Sequence, residues 1–329
     1  MLVIPMAGVL YLTQPGSAGP ACYTGMCDAS AVVSLGNDYF AVADDEETII
    51  RVYSRHEGGR AAYALNVAPF LGLPRRGAEV DLEGAAKLGD RIYWISSHGR
   101  NAEGKEQPSR CRFFATTGSI SNDIIDLQPV GRPYEGLLRD LIHDPRLAQF
   151  DLGAAAQRMP KAPDALNIEG LCATPDGHLW IGFRNPIPGK QALIVPLLNP
   201  AEVIDGKQHA RFGDPMLIDL GGLGIRSLAY RRDRYWIVAG SYDGEMLSGL
   251  YEWHGGADKP RPHGFPELAG LNPEAITFFS EPEGDRLLVV SDDGTVKIGG
   301  KDCKRLKDSR LKRFRAVSIL LYDTVTAQK

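Results

Sequence analysis

Asn167-Ile168-Glu169-Gly170-Leu171-Cys172 is followed by a Pro175-Asp176-Gly177 turn and then by an unbroken apolar run over residues 178–183. Continuous blocks of β-branched and aromatic residues, bounded by turn formers, read as strands buried on both faces. The hexapeptide recurs. Asp28-Ala29-Ser30-Ala31-Val32-Val33 and Asp81-Leu82-Glu83-Gly84-Ala85-Ala86 precede it, and Gly224-Ile225-Arg226-Ser227-Leu228-Ala229 and Asn272-Pro273-Glu274-Ala275-Ile276-Thr277 follow as weaker copies. Each copy has its own turn (Gly36-Asn37, Gly89-Asp90, Arg232-Asp233, Glu283-Gly284) and its own apolar run, at 39–43, 91–95, 234–239 and 286–290.

Third strands are legible at 48–53, 110–115, 191–197, 249–253 and 295–298, and fourth strands at 62–67, 124–127 and 216–220. Each unit therefore reads as a four-stranded antiparallel meander. The third motif position, Ser30, Glu83, Glu169, Arg226 and Glu274, advances by 53, 86, 57 and 48 residues. Propeller blades repeat roughly every 40–50 residues. The long 86-residue interval holds an insertion at 134–159, where Leu137, Leu138, Leu141 and Ile142 recur at helical spacing between Pro133 and Pro145. A second short helix is expected over 154–158. The expected fold is all-β: one domain over 1–329, a β-propeller of five four-stranded blades. Residues 1–13 are expected to pair beside a C-terminal strand at 314–322. A sixth, degenerate blade in the terminal segments or the insertion is the alternative.

Composition agrees. The 329 residues contain 37 glycines and 22 prolines, which suits many tight turns, and 43% are hydrophobic. Lys and Arg number 37 against 41 Asp and Glu, a net charge of −4. That balance argues against a nucleic-acid partner. No apolar run is long enough for a transmembrane helix, and no membrane partner is expected. The apolar start lacks the basic residues of a signal sequence and reads as a strand. Five cysteines, Cys22, Cys27, Cys111, Cys172 and Cys303, are an odd and widely spread set. They read as reduced thiols in a cytoplasmic protein, or a periplasmic one if the N-terminus is trimmed. The basic run 301–315 reads as a solvated loop.

The Asp81–Ala85 copy, the Ser96–Asn101 stretch Ser-Ser-His-Gly-Arg-Asn and the pair Arg110 and Arg112 together resemble a bacterial β-propeller family known only as a domain of unknown function. Asn167–Leu171, Gly222–Arg226 and Leu250–Trp253 fit the same family, over nearly the whole chain. That family is distantly similar to esterase-like phytase and strictosidine-synthase-like propellers. The resemblance implies a propeller and, by analogy only, ester or phosphoester chemistry.

Hairpin arithmetic locates a site without any family. Residues equally distant from a turn lie opposite each other, and the first strand of a blade lines the central channel. One mouth of the channel is thus expected to gather Asp44, Asp45, Glu46, Glu83, His98, Arg100, Glu169, Arg184, Arg226, Ser241, Glu274, Asp292 and Asp293. Oxygen-only donors suit Ca2+ or Mg2+, with Asp44, Asp45, Glu83, Glu169, Glu274 and Asp293 as candidate metal ligands. His98, Glu83 and Glu169 are the candidate catalytic groups. Arg100, Arg184, Arg226 and Ser241 are the candidate contacts to a small anionic ligand. The Glu-Gly pairs also suit a structural role, the carboxylate bonding a neighbouring blade and the glycine allowing close packing. A metal-assisted hydrolase and a non-enzymatic binding scaffold both remain open. No Gly-x-Ser-x-Gly elbow and no P-loop is present.

Overall fold

The second strand of every repeat carries a continuous apolar block, and in the computed structural model each of these strands lies inside its sheet. The structure describes residues 19–73, 79–122, 124–245 and 247–321. Tyr39–Asp44, Arg91–Ser96, Leu179–Asn185, Arg234–Gly240 and Gly284–Ser291 are buried along nearly their whole length. Each follows an inner strand across a tight turn: Ala29–Leu35, Leu82–Leu88, Asn167–Ala173, Gly224–Arg231 and Pro273–Glu281 in blades 1 to 5. The inner strands touch one another in ring order, and the fifth touches the first. The protein is a five-bladed β-propeller.

Five apolar clusters fill the five blade interfaces. Trp94 and Phe114 meet Val33 and Val52 between blades 1 and 2. Phe113 and Tyr93 meet Phe183 and Ile181 between blades 2 and 3. Trp253 and Ile237 meet Ile194 and Cys172 between blades 3 and 4, and Trp236 meets Val289 and Ile319 between blades 4 and 5. The core is thus spread around the ring, which is how 329 residues share a fold without one oversized centre.

Blade 5 closes the ring. Its second strand, Gly284–Ser291, pairs with Arg313–Leu321, and the fourth place is taken by Ala21–Thr24, antiparallel to Arg313–Leu321. Tyr23 anchors the seam. Its ring packs on Phe40, Tyr53 and Phe314, with centroids 5.1 to 5.3 Å apart. The closing strand expected at residues 1–13 lies outside the described residues, and the role belongs to Ala21–Thr24. A short strand, Gly59–Arg60, extends this sheet in parallel.

Two further strand assignments change. Residues 295–298 are not the third strand of blade 5. Lys297–Ile298 pairs with Lys301–Asp302 in a separate small hairpin, and the third place goes to Arg313–Leu321. In blade 2 the third strand starts at Phe113, because Pro108–Arg110 forms a 3-10 turn after the proline. The insertion contains a helix at Leu137–His143, a 3-10 segment at Pro145–Phe150 and one turn at Leu152–Ala155. Their apolar faces join the cluster between blades 2 and 3. The reading of all five cysteines as free thiols is overturned: Cys27 and Cys303 form a disulfide across 276 residues. Cys22, Cys111 and Cys172 are free. No helix among the described residues is long and apolar enough to cross a membrane.

Candidate functional site

The recurring third motif position is not an ordinary ladder residue. In blade 1, Ala29 pairs with Asp44 and Ala31 with Ala43, which leaves Ser30 as an extra residue. Leu82 pairs with Ser96 and Gly84 with Ile95, leaving Glu83. Glu169, Arg226 and Glu274 are left over in the same way in blades 3, 4 and 5. Five bulges at one height re-aim five side chains, since a bulged residue departs from the alternation of its strand. Four of these residues carry charge. The glycine that follows two of them is a packing requirement. A Cβ on Gly84 would stand 2.9 Å from Leu171 Cβ and 3.0 Å from the Glu169 carbonyl oxygen, and one on Gly170 would stand 2.8 Å from Ile225 Cγ2.

The bulge residues face a cavity of about 340 Å3 at one channel mouth. Carboxylate oxygens of Glu83, Glu169 and Glu274 lie within 4.8 Å of one another, and so do those of Asp45, Asp81 and Glu83. The two trios differ in compensation. Glu169 Oε1 accepts bonds from Arg184 Nη1 at 2.6 Å and from Asn167 Nδ2 at 2.8 Å. Arg226 donates from Nε to Glu274 Oε1 at 3.0 Å, and its Nη2 meets Glu274 Oε2 in a close ion pair. It also reaches to 3.7 Å from Glu169 Oε2. The blade 3–4–5 side is therefore nearly neutral.

The blade 1–2 side is not. Asp81 accepts from Arg110 Nη1 at 2.8 Å and from the Ser97 hydroxyl. Glu83 keeps part of its surface open to the cavity, and no described residue gives it a hydrogen bond or ion pair. Asp45 Oδ1 and Asp28 Oδ2 are buried without hydrogen-bond partners, and Asp28 as a whole is 5% exposed. Electrostatics follow. Burial first, then the facing Glu169, Asp81 and Asp45 carboxylates, hold Glu83 well above its ordinary range, against the pull of Arg184. Burial and then Asp44, Asp28 and Asp81 do the same to Asp45. Asp28 is raised to about 8 by burial and by Asp292, and Asp81 to about 6 by burial against the pull of Arg110. These are carboxyls that lack enough positive charge.

Eight of the expected residues line the cavity: Asp45, Glu83, Arg100, Glu169, Arg184, Arg226, Glu274 and Asp292. Five that were expected in the site do not: Glu46, Asp44, Asp293, Ser241 and His98. Glu46 is exposed, with Oε1 3.7 Å from Lys304 Nζ. Asp44 faces the Glu47, Arg51 and Lys312 side, accepts from the Glu46 amide, and is raised to about 7 by burial. Asp293 is held by Arg315 at 2.7 and 2.8 Å and by Ser291. Ser241 turns its hydroxyl to the Glu245 carbonyl. His98, the expected proton carrier, is 2% exposed, has Nδ1 2.7 Å from the Ser96 carbonyl oxygen, and is lowered to about 4 by burial. Two arginines are present but committed. Arg226 spends its remaining donors on Asn272 and the Pro273 carbonyl. Arg100 binds Ala156, Gly104 and Gln157, which ties the insertion to blade 2.

Sequence reasoning missed Asp28, Asp81, Arg110 and Lys304. Asp28 and Asp81 stand at motif position one, two residues before the bulge, so their repetition was a usable signal. Lys304 comes from a distant loop and carried none. The opposite mouth is a separate cavity of about 360 Å3 of mixed lining, with Leu171, Leu228 and Ile276 beside Lys87, Thr174 and Arg231.

The model of the family described as Protein of unknown function (DUF3616) matches residues 28–113 and 129–297, and the chain belongs to that family. No curated protein matches the sequence. Among solved structures, the exo-β-1,3-galactanase 1,3Gal43A from Clostridium thermocellum is similar at 9% identity over 91% of this chain and 62% of that one, with a TM-score of 0.50. The major allergen Mala s 1 of Malassezia sympodialis is similar at 11% identity over 92% of this chain and 96% of that one, also at 0.50. Identities this low show a shared propeller fold and nothing about chemistry.

Proposed function

We propose that this member of the DUF3616 family binds a divalent, oxygen-seeking cation, calcium or magnesium, at the blade 1–2 side of its acidic mouth. We further propose that it uses the cation in hydrolysing an ester of a small anionic substrate, phosphoesters first. One observation carries the reading: the carboxylate oxygens of Asp45, Asp81 and Glu83 lie within 4.8 Å of one another and share a single arginine partner, Arg110 on Asp81. The second trio, Glu83 with Glu169 and Glu274, already has Arg184 and Arg226 against it. A cation therefore gains most on the Asp45 side, with Glu83 facing it and unpartnered. All-oxygen donors select hard cations.

A bound cation would polarise the ester oxygen and lower the pKa of water. The chain supplies the rest. Lys161 and Tyr242 stand on the cavity wall, and Lys161 is exposed there with its ammonium over Gly244, which suits it to hold an anionic group. Asp28, held up to about 8, keeps its proton near neutral pH and is the candidate proton donor.

A second reading has its own support. His98 is outside the cavity and Arg226 is fully engaged, so the mouth suits cation-dependent binding without turnover. Two measurements separate these readings. Calorimetric titration of metal-free protein with calcium and with magnesium should show binding that Glu83→Gln abolishes. A panel of chromogenic phosphomonoesters and carboxylic esters should then be cleaved in a chelator-sensitive way. Cation binding without turnover supports the scaffold reading. No cation binding at all sinks both.

A further inference from the structure

We propose that Lys304 is a built-in counter-ion that competes with the cation for the acidic wall, and that the Cys27–Cys303 disulfide is what positions it. The inference rests on the cation site proposed above. The disulfide joins two residues whose next neighbours in sequence, Asp28 and Lys304, both line the cavity. It therefore fixes one acid and one base of the site relative to each other.

Lys304 is paired loosely and with many groups. Its nearest carboxylate oxygen, Glu46 Oε1, is 3.7 Å away, beyond a good hydrogen bond. The fields of Asp28, Glu46, Asp45 and Asp292 nevertheless raise its pKa over the opposing effect of burial. Lys304 is thus shared by the same carboxylates that lack partners of their own. A lysine is a compact point charge and suits that role.

The segment that carries Lys304 meets the start of blade 1 at its base, through the Asp28–Asp292 bridge and the Asp293 N–H donating to the Cys27 carbonyl, and at its far end through the disulfide. It is a two-stranded hairpin, Lys297–Ile298 with Lys301–Asp302, outside the five blades. The Cys303 and Lys304 amides bond back to Val296 and Gly294, within the same segment. The bond to Cys27 is its covalent tie to blade 1. Both cysteines are fully buried, so the crosslink is shielded from reductants and acts as a fixed clamp.

The sign is determined by Coulomb's law. A positive charge held beside a cation site weakens cation binding, and removing it strengthens binding. Calorimetric titration with calcium should show Lys304→Met binding about tenfold tighter than the parent, while Lys304→Arg binds as the parent does. The variant Cys27→Ala/Cys303→Ala should gain affinity likewise, and adding Lys304→Met to it should change little, the coupling expected when one residue acts through the other. Melting curves establish that each variant is folded, and Lys304→Met tests the proposal even if the cysteine variant is not. Equal or weaker calcium binding by Lys304→Met, with the parent still binding, overturns this inference alone. No binding by any form overturns it together with the cation site.

Discussion

Glu83 and Arg226 hold equivalent places, the extra residue of an inner-strand bulge in blades 2 and 4, yet only Arg226 has an ion-pair partner among the described residues. Around the ring the bulge positions read Ser30, Glu83, Glu169, Arg226 and Glu274. The cation Arg226 lies between two anions, and Glu83 lies next to a serine. The asymmetry in charge is thus written into a fivefold-repeated backbone feature.

Glu83→Gln keeps shape and removes the uncompensated charge. Calcium at a hundredfold its dissociation constant stabilises a binding protein by about 2.7 kcal/mol, which for a chain of this size is a melting shift of several degrees. That shift should vanish in the variant. The metal-free variant should melt no lower than the parent, because a repulsive carboxylate has gone. A calcium response equal to the parent's would count against Glu83 as a ligand.

Arg226→Met leaves Glu274 and Glu169 short of a cation in a buried setting. Removing one partner of such a pair typically costs about 3–5 kcal/mol. Adding Glu274→Gln should recover a large part of the loss, since the stranded charge is then removed. Denaturant unfolding of the two variants measures both steps. Equal stability of Arg226→Met and parent would show that Arg226 is not the counter-ion of the blade 3–5 side.

Gly170→Ala places a methyl 2.8 Å from Ile225 Cγ2 and 3.1 Å from the Gly182 Cα. Overpacking of this kind costs about 1–3 kcal/mol. The cost should appear as lowered stability with calcium binding retained if the blades shift as units. A neutral substitution would show that the inner strands have slack.

The raised carboxyls give a pH dependence of definite sign. Asp28 in the folded chain titrates at about 8 and Asp81 at about 6, above their ordinary range. Between that range and pH 8 the folded state holds more protons than the unfolded state. Metal-free protein should therefore lose stability as pH rises through this window. Calcium must displace the proton of Asp81, one of the carboxylates proposed to hold it, so its affinity should rise as pH passes about 6. Melting temperatures of metal-free protein that climb from pH 5 to pH 8 would contradict the arrangement.

The ring of blades was legible because its signal is local and repeated: a hexapeptide, a turn and an apolar block, five times over. The bulges were not, although the residues they re-aim were marked as motif position three. A bulge shows only when the partner strand is counted. Hairpin arithmetic is right in blade 1, where Ser30 does fall between Asp44 and Ala43, although Asp44 turns away from the cavity. It slips in blade 5, where it sets Asp293 opposite Glu274 while Ser291 pairs with Pro273 and Val290 with Ala275. His98 looked like a site residue because it follows Ser96-Ser97, but its positive φ of 57° turns the ring to the Ser96 carbonyl. The disulfide and Lys304 depend on contacts across the closing seam, and one sequence carries no trace of a pairing between residues 276 apart.

The closing seam also dictates the order in which the molecule can be completed. Ala21–Thr24 is made before every other described strand, and its partner Arg313–Leu321 after all of them. Until then blade 5 lacks both outer strands, and the Tyr23 ring has no Phe314 to stack on. Blades 1 to 4 can pair locally as they emerge, but the ring and the acidic mouth it frames come together only once Arg313–Leu321 has been made. Through that interval the nascent chain carries Ala21–Thr24 without its partner, an open edge of the kind that chaperones shield and that aggregation exploits.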